Sequence, residues 1–270
     1  MRRSPDAALL EAMIETALEA GRVVHEIYGA GFRVERKADR TPVTTADHAA
    51  EALILQQLQA VAPHVPIVAE EEVAAGRVPE VGHEFFLVDP LDGTREFIER
   101  RGDFTVNIAL VREAEPVLGV VYAPATARLF AGDARARSAF RSEHDPRSDA
   151  ALEREPMHVR PVPAKGLTVV SSRSHSTPET EQYLASYSIV ERVSVGSSLK
   201  FCLVASAQAD LYPRLGPTME WDTAAGHAVL VAAGGAVWAP GGVPLRYGKP
   251  GFRNTFFVAS GTLTPRQLAA

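Results

Sequence analysis

The apolar run Phe85, Phe86, Leu87, Val88 is followed at once by Asp89, Pro90, Leu91, Asp92, Gly93 and Thr94. A chain that buries this strand must also accommodate two carboxylates, three residues apart, at its end. A hard divalent cation resolves the conflict, because Mg²⁺ takes oxygen ligands and is usually shared between a few carboxylates and substrate phosphate oxygens. Asp89 and Asp92 offer such ligands, the Leu91 carbonyl can turn toward a metal, and Pro90 stiffens the turn between them. Gly93 lets the backbone approach a phosphate with no Cβ in the way. Thr94 adds a hydroxyl where a short helix can begin, its free N–H groups facing an anion. The competing reading is a plain surface turn, since Asp, Pro and Gly are common there.

Three further acidic stations favour the metal reading, because each falls at the end of a strand or the start of a helix. Glu70 and Glu71 follow the strand-like Val65 to Ala69. Asp222 follows Trp221 and opens the helical run from Thr223 to Leu230, where a simple helix cap is the alternative. Asp47 comes just after Thr44 and Thr45.

With 270 residues, 46% of them hydrophobic, the chain can bury a sizeable core. Its net charge of −5 argues against a nucleic-acid polymer as partner, while small anions remain possible where bound cations reverse the local potential. The lone Cys202, in the pattern Leu199, Cys202, Leu203, reads as a buried helix residue and suits a reducing compartment. No apolar run approaches the roughly 18 residues of a membrane span. The start, Met1 to Asp6, lacks the apolar core of a signal peptide, so the expected location is cytoplasmic, with a peripheral position at the inner membrane face left open.

Ser4 and Pro5 precede apolar positions at helical spacing from Leu10 to Tyr28, which predicts a long first helix. Phe32 and Val34 alternate as in a strand, Lys37 to Pro42 reads as a mobile loop, and a second helix is expected from a cap at Thr44 or Thr45 until Pro63. Strands are expected near 65–69, 84–89, 104–111, 116–123 and 127–131, an antiparallel-rich sheet after two helices. The charged stretch from Arg135 to Pro156 has no sustained period and reads as an irregular surface connection. Beyond it the order becomes α/β: strand 167–171, helix 177–186, strand 188–194, helix 197–208, strand 209–213, helix 222–233, and strands near 236–239 and 255–259. Two halves follow, 1–160 with the acidic motifs and 161–270 with the last acidic station. Met13, Trp238, Phe256 and Phe257 are assigned to packing. Glu72, the group Glu99, Arg100, Arg101, and the pair Lys249, Arg253 are assigned to solvated faces.

The pair Glu70-Glu71, the run Asp89 to Thr94 and the run Trp221, Asp222, Thr223, Ala224, Ala225, Gly226 together resemble the signatures of the inositol monophosphatase superfamily of metal-dependent, lithium-sensitive phosphatases. Thr94 to Ile98, Gly102 to Leu110, Ser172 to His175, Gly196 to Cys202 and Asp210 to Arg214 are similar to its CysQ-type branch, the 3'(2'),5'-bisphosphate nucleotidases. The resemblance runs from about Ala17 to Phe256 and is weakest between Arg135 and Pro156. It implies an α/β fold, a layered αβαβα sandwich with the metal site between its halves. It also implies two or three Mg²⁺ ions, replaceable by Mn²⁺, held by Glu70, Asp89, the Leu91 carbonyl, Asp92 and Asp222. Glu70 and the Thr94 hydroxyl would orient and deprotonate the attacking water, and Asp47 would hold Thr94.

Specificity must lie elsewhere, since a metal site recognises only the phosphate being cleaved. The expected substrate contacts are Gly93, Thr94, His175, Ser197, Ser198, Lys200, Arg214 and Asp222. Lys200 and Arg214 suit a second phosphate or a nucleotide edge. The implied reaction is hydrolysis of the 3'-phosphate of adenosine 3',5'-bisphosphate to AMP, with its sulfated analogue as a further substrate, by a monomer or homodimer. An inositol or sugar phosphatase with the same metal site is the alternative, and a non-catalytic nucleotide sensor ranks below both.

Overall fold

The computed structural model describes residues 4–37, 41–171 and 177–268. Helix α1 (Pro5–Ala30) begins as its sequence predicts: Ser4 caps it, accepting the Ala7 N–H at 3.1 Å, and Pro5 occupies the first turn. Strands β1 (Val34–Arg36) and β2 (Pro42–Thr44) form a small antiparallel ladder before α2 (Thr45–Val61), which Thr44 caps. Next come β3 (Ile67–Ala69), α3 (Glu70–Ala74), β4 (Glu84–Asp92), α4 (Thr94–Ile98), β5 (Thr105–Arg112), β6 (Glu115–Ala123), β7 (Arg128–Asp133), β8 (Ser138–Glu143) and β9 (Glu155–Pro156). Strands β3 to β9 lie in chain order in one seven-stranded sheet, parallel only between β3 and β4.

The stretch from Arg135 to Pro156 is a correction to the sequence reading, because it contains β8, paired antiparallel along its length with β7, and β9. Only Ala139 and Ser142 of β8 are fully buried, so the strand leaves no hydrophobic signature. Its start is set by a turn that no periodicity reveals: the Asp133 carboxylate accepts the N–H groups of Arg135 and Ala136.

The second sheet is built from β10 (Leu167–Ser171), α5 (Pro178–Leu184), β11 (Ile189–Ser194), α6 (Leu199–Ala205), β12 (Leu211–Arg214), α7 (Ala224–Ala232), β13 (Ala236–Ala239), β14 (Val243–Pro244) and β15 (Phe257–Ser260). Its strand order is β11-β10-β12-β15-β13-β14; β10 is parallel to β11 and β12, and the other pairings are antiparallel. Phe257 is buried as expected, whereas Phe256, just outside the strand, is 43% exposed and does not belong to the core. Cys202 is buried on α6, and burial pushes its thiol pKa up, which suits packing.

Alternate residues of the first sheet enter different cores. Phe86, Val88, Ile108 and Val120 pack with Met13 and Ile14 of α1 and Ile54 of α2. Phe85, Leu87, Ala109 and Val121 pack with Phe201 of α6 and Val229 of α7, together with Tyr212 and Phe257 of the second sheet. On the far side of that sheet Val169 and Leu211 meet Leu184 of α5. The result is five layers, αβαβα, and it explains the continuous apolar runs of the first sheet, whose strands are buried on both faces.

Helix α7 reaches its place because the sheet beneath it has no side chains there. A Cβ on Gly119 of β6 would lie 2.3 Å from the Ala225 carbonyl oxygen, and one on Gly132 of β7 would lie 2.7 Å from Ala232 Cβ. Gly119→Ala should therefore destabilise by about 1–3 kcal/mol through overpacking, and Gly119→Val by more. The denaturant midpoint measures this; unchanged midpoints for both variants would show that α7 does not press on β6.

Candidate active site

Asp89 and Asp92 are three residues apart, so in an uninterrupted strand they would face opposite ways. The pairing of β4 with β5 instead matches Asp89 to Asn107 and Asp92 to Thr105, leaving one extra residue on β4. This bulge bends the strand and re-aims the carboxylates. The Asp89 carboxylate accepts the Leu91 N–H at 3.0 Å, and Asp92 lies 3.5 Å from the Asn107 amide nitrogen. Gly93 follows in the left-handed region (φ 93°) and starts α4 at Thr94.

Thr94 connects two elements distant in sequence. Its hydroxyl is 3.2 Å from Asp47 Oδ1 and 3.3 Å from the Leu91 carbonyl. The other Asp47 oxygen accepts from the backbone and hydroxyl of Thr44 at 2.7 and 2.6 Å, a capping arrangement that locks the aspartate at the head of α2. Asp222 does not cap α7. It lies two residues before the helix, accepts the Met219 N–H at 2.9 Å and receives the Ser198 hydroxyl on its backbone carbonyl at 2.6 Å.

Burial and mutual repulsion dominate the electrostatics. Burial, then the charges of Glu70, Asp92 and Asp222, holds the Asp89 pKa well above the usual carboxylate range. Burial pushes Asp92 up to about 6 against the opposing pull of Lys200, and burial with Asp92 and Glu70 pushes Asp222 up to about 8. Such a cluster is neutral or costly without cations. Lys37 supplies one, its Nζ 2.6 Å from both Glu70 and Glu71; burial works against its charge, but the two glutamates outweigh this and raise its pKa. Among the described residues no three acidic, histidine or cysteine side chains come together closely enough to hold a metal ion by themselves. Mg²⁺ usually keeps several waters and shares substrate oxygens, so such a site does not require a complete protein cage. The donor set, hard oxygens with raised proton affinity around a buried centre, fits Mg²⁺ or Mn²⁺.

Asp92, Gly93, Thr94 and Asp222 line a cavity of about 380 Å³ together with Lys200 and Arg214. Lys200 is buried. Its Nζ donates to the Ser197 carbonyl at 2.6 Å, and burial lowers its pKa to about 8. Arg214 donates from Nη2 to the Pro217 carbonyl at 2.8 Å, while its buried Nε has no protein acceptor. The Ser197 and Ser198 hydroxyls are already engaged, with Thr105 and with the Asp222 carbonyl, and only Ser197 lines the cavity. His175 lies outside the described residues.

Sequence reasoning passed over several neighbours. Lys37 was placed in a loop, because its partners are more than thirty residues away. Glu51 accepts the Glu71 N–H at 2.9 Å, and burial pushes its pKa up to about 7; its signal was present, a carboxylate on the apolar stripe of α2. Arg95, Glu96 and Arg253 also line the cavity, so Arg253 is more than a solvated charge. Lys249 pairs at 2.6 Å with Glu220, which is fully buried, and Arg100 lies over the Tyr28 ring. Neither is a merely solvated charge. Glu72 is partly exposed and pairs with Arg77.

The raised Asp222 pKa has a defined sign. The folded state binds a proton more tightly than the unfolded chain, so this group's contribution to stability falls as pH rises from about 4 to about 8 and levels off above. In EDTA, Asp222→Asn should gain denaturant resistance relative to wild type at pH 8.5 but not at pH 4.5. Parallel pH profiles of the two proteins would contradict the assignment.

Comparison with known proteins places this geometry in context. The inositol monophosphatase family model matches residues 6–264. The chain is similar to the 3'(2'),5'-bisphosphate nucleotidase CysQ of Salmonella typhimurium, at 43% identity over 92% of this chain and 100% of the relative. The protein of that name from Escherichia coli K12 is 42% identical over the same shares. The crystal structure of CysQ from Bacteroides thetaiotaomicron superposes with a TM-score of 0.79 at 38% identity, over 95% of this chain and 98% of the other. With the bulged acidic strand, the layered fold and a match spanning almost its whole length in agreement, the chain belongs to the inositol monophosphatase family.

Proposed function

We propose that the protein is a Mg²⁺-dependent 3'(2'),5'-bisphosphate nucleotidase, hydrolysing adenosine 3',5'-bisphosphate to AMP and phosphate in sulfur metabolism, and also acting on the sulfated nucleotide. The observation that carries this reading is the single cavity in which Asp92, Thr94 and Asp222 face Lys200 and Arg214, with a buried Arg214 Nε lacking an acceptor. A buried unpaired donor is costly unless a ligand satisfies it, and a second phosphate does so with a charge-assisted bond. The names of the relatives support the same substrate.

Glu70, Asp89, the Leu91 carbonyl, Asp92 and Asp222 are the residues assigned to hold two or three divalent ions. Bound there, the ions supply charge neutralisation for the transferring phosphoryl group and acidify a water. Thr94, tethered to Asp47, would orient that water, and Glu70 would accept its proton. The Gly93 and Thr94 backbone faces the cleaved phosphate, while Ser197, Lys200 and Arg214 form the nucleotide side, to which the resemblance also assigns His175. The cytoplasm is the compartment this reading assigns, with no protein partner required for the chemistry.

Asp89→Asn should lower kcat more than about 100-fold in saturating Mg²⁺, beyond the loss typical of an outer partner of a metal ligand, while keeping the fold. Near-wild-type turnover by a folded variant would remove Asp89 from the metal set.

The nucleotide assignment is tested by replacing Lys200 and Arg214 with Ala. Charge-assisted bonds of about 1.5–3 kcal/mol predict a loss of about tenfold or more in kcat/KM per residue for adenosine 3',5'-bisphosphate. Inositol 1-phosphate, which has no distal phosphate, should keep its wild-type rate. Equal losses on both substrates would mean that these residues support the fold or the shared metal site and would leave the nucleotide reading resting on family resemblance alone.

A further inference from the structure

A second cavity, of about 270 Å³, lies beside α7; Val117, Val231, Val237, Trp238 and Leu245 form its apolar part with His227, and Glu115 and Arg135 also line it. His227 is 5% exposed, and no role in the chemistry above requires it. Its hydrogen bonds define its tautomer. The Thr223 hydroxyl donates to the Glu220 carbonyl at 3.1 Å and accepts from the Asn254 amide at 2.9 Å and from the Tyr247 hydroxyl at 3.2 Å. Since Tyr247 spends its proton on Thr223, it must accept at its oxygen from His227 Nδ1, 3.0 Å away. Burial and the nearby cations Lys249 and Arg246 lower the imidazole pKa to about 3, so the ring is neutral. Nε2 is then a bare acceptor with no protein partner among the described residues, on a residue that lines the cavity.

We propose that this cavity is an effector site for a small planar aromatic molecule carrying one N–H or O–H donor, recognised by His227 Nε2 and linked through Tyr247 and Thr223 to the catalytic cavity. The aliphatic walls and the Trp238 ring suit a flat apolar body, and the volume, near the lower end for small-molecule sites, suits one or two rings. The acceptor requires a donor on the ligand; an acceptor-only molecule would leave Nε2 unpaired. The link is continuous. Thr223 lines the catalytic cavity and follows Asp222 directly, and a bond accepted at Nε2 polarises the chain of hydrogen bonds from His227 through Tyr247 to Thr223.

Indole and 1-methylindole are the probes, used on the full chain with ¹⁵N-labelled histidine. Indole should move the His227 Nε2 resonance saturably, and 1-methylindole, lacking the donor, should bind at least about tenfold more weakly. Val237→Trp, or Val231→Trp should the first not fold, should fill the cavity and abolish indole binding. By reciprocity, saturating indole should change the Mg²⁺ dissociation constant by about fivefold. Mg²⁺ affinity without indole tests the metal reading separately. The proposal is overturned by absence of a saturable His227 shift, by equal binding of the two probes, by unaltered indole binding in a folded cavity-filled variant, or by a Mg²⁺ affinity indifferent to indole.

Discussion

Negative charge gathered where water is excluded is the condition around which this molecule is organised. Asp89, Asp92 and Asp222 sit in one buried region with Glu70 close enough to raise the proton affinity of all three; Asp92 and Asp222 make Asp89 harder to ionise, and Asp92 does the same to Asp222. Left alone, such a group would protonate or spread. The surroundings partly offset the repulsion with two lysines of opposite character. Lys37 comes from the connection between β1 and β2 and pairs with Glu70 and Glu71; Lys200 is held in the interior by the Ser197 carbonyl and by the field of Asp92. The two lysines offset this charge only in part, and the site stays electrostatically incomplete.

Holding carboxylates in this state demands rigid support, and α7 with the segment before it provides much of it. The glycines of β6 and β7 allow α7 to lie directly on the first sheet, while Phe201 of α6 packs on the other side, against Gly226. Ahead of the helix, the fully buried Glu220 accepts the N–H groups of Gly248 and Lys249 and pairs with the Lys249 ammonium, tying this turn to the loop that follows β14. Asp222 therefore faces the first sheet's aspartates from a position set by the second half of the chain. The same turn carries Thr223, where the polar chain from His227 ends.

Much of this was legible beforehand for physical reasons. Long helices and strands carry their own periodicity, so α1, α2 and most strands fell within a few residues of their expected places, and caps such as Ser4 and Thr44 are local chemistry readable in one turn of sequence. The acidic motifs were legible because burying Asp next to apolar strand residues is costly unless a function retains it. β8 was missed because a strand with few buried side chains, next to the short edge strand β9, is held by backbone pairing, which leaves no side-chain period. Helices expected at 197–208 and 222–233 proved shorter, at Leu199–Ala205 and Ala224–Ala232, because the residues before them are drawn into bonds around Asp222 and Thr105.

By itself, then, the sequence determined the order and type of most elements, the positions of the acidic motifs and the family, all of which rest on interactions within a few residues or on motifs kept contiguous. Tertiary structure decided which charges meet. The bulge that re-aims Asp89 and Asp92 depends on the register of β5, and the clasp of Lys37 on Glu70 and Glu71 crosses more than thirty residues. The burial of Lys200 and the chain from His227 to Thr223 likewise depend on how α6 and α7 pack between the two sheets. Electrostatics and burial act through space, so they become definite only when the layers have closed around them.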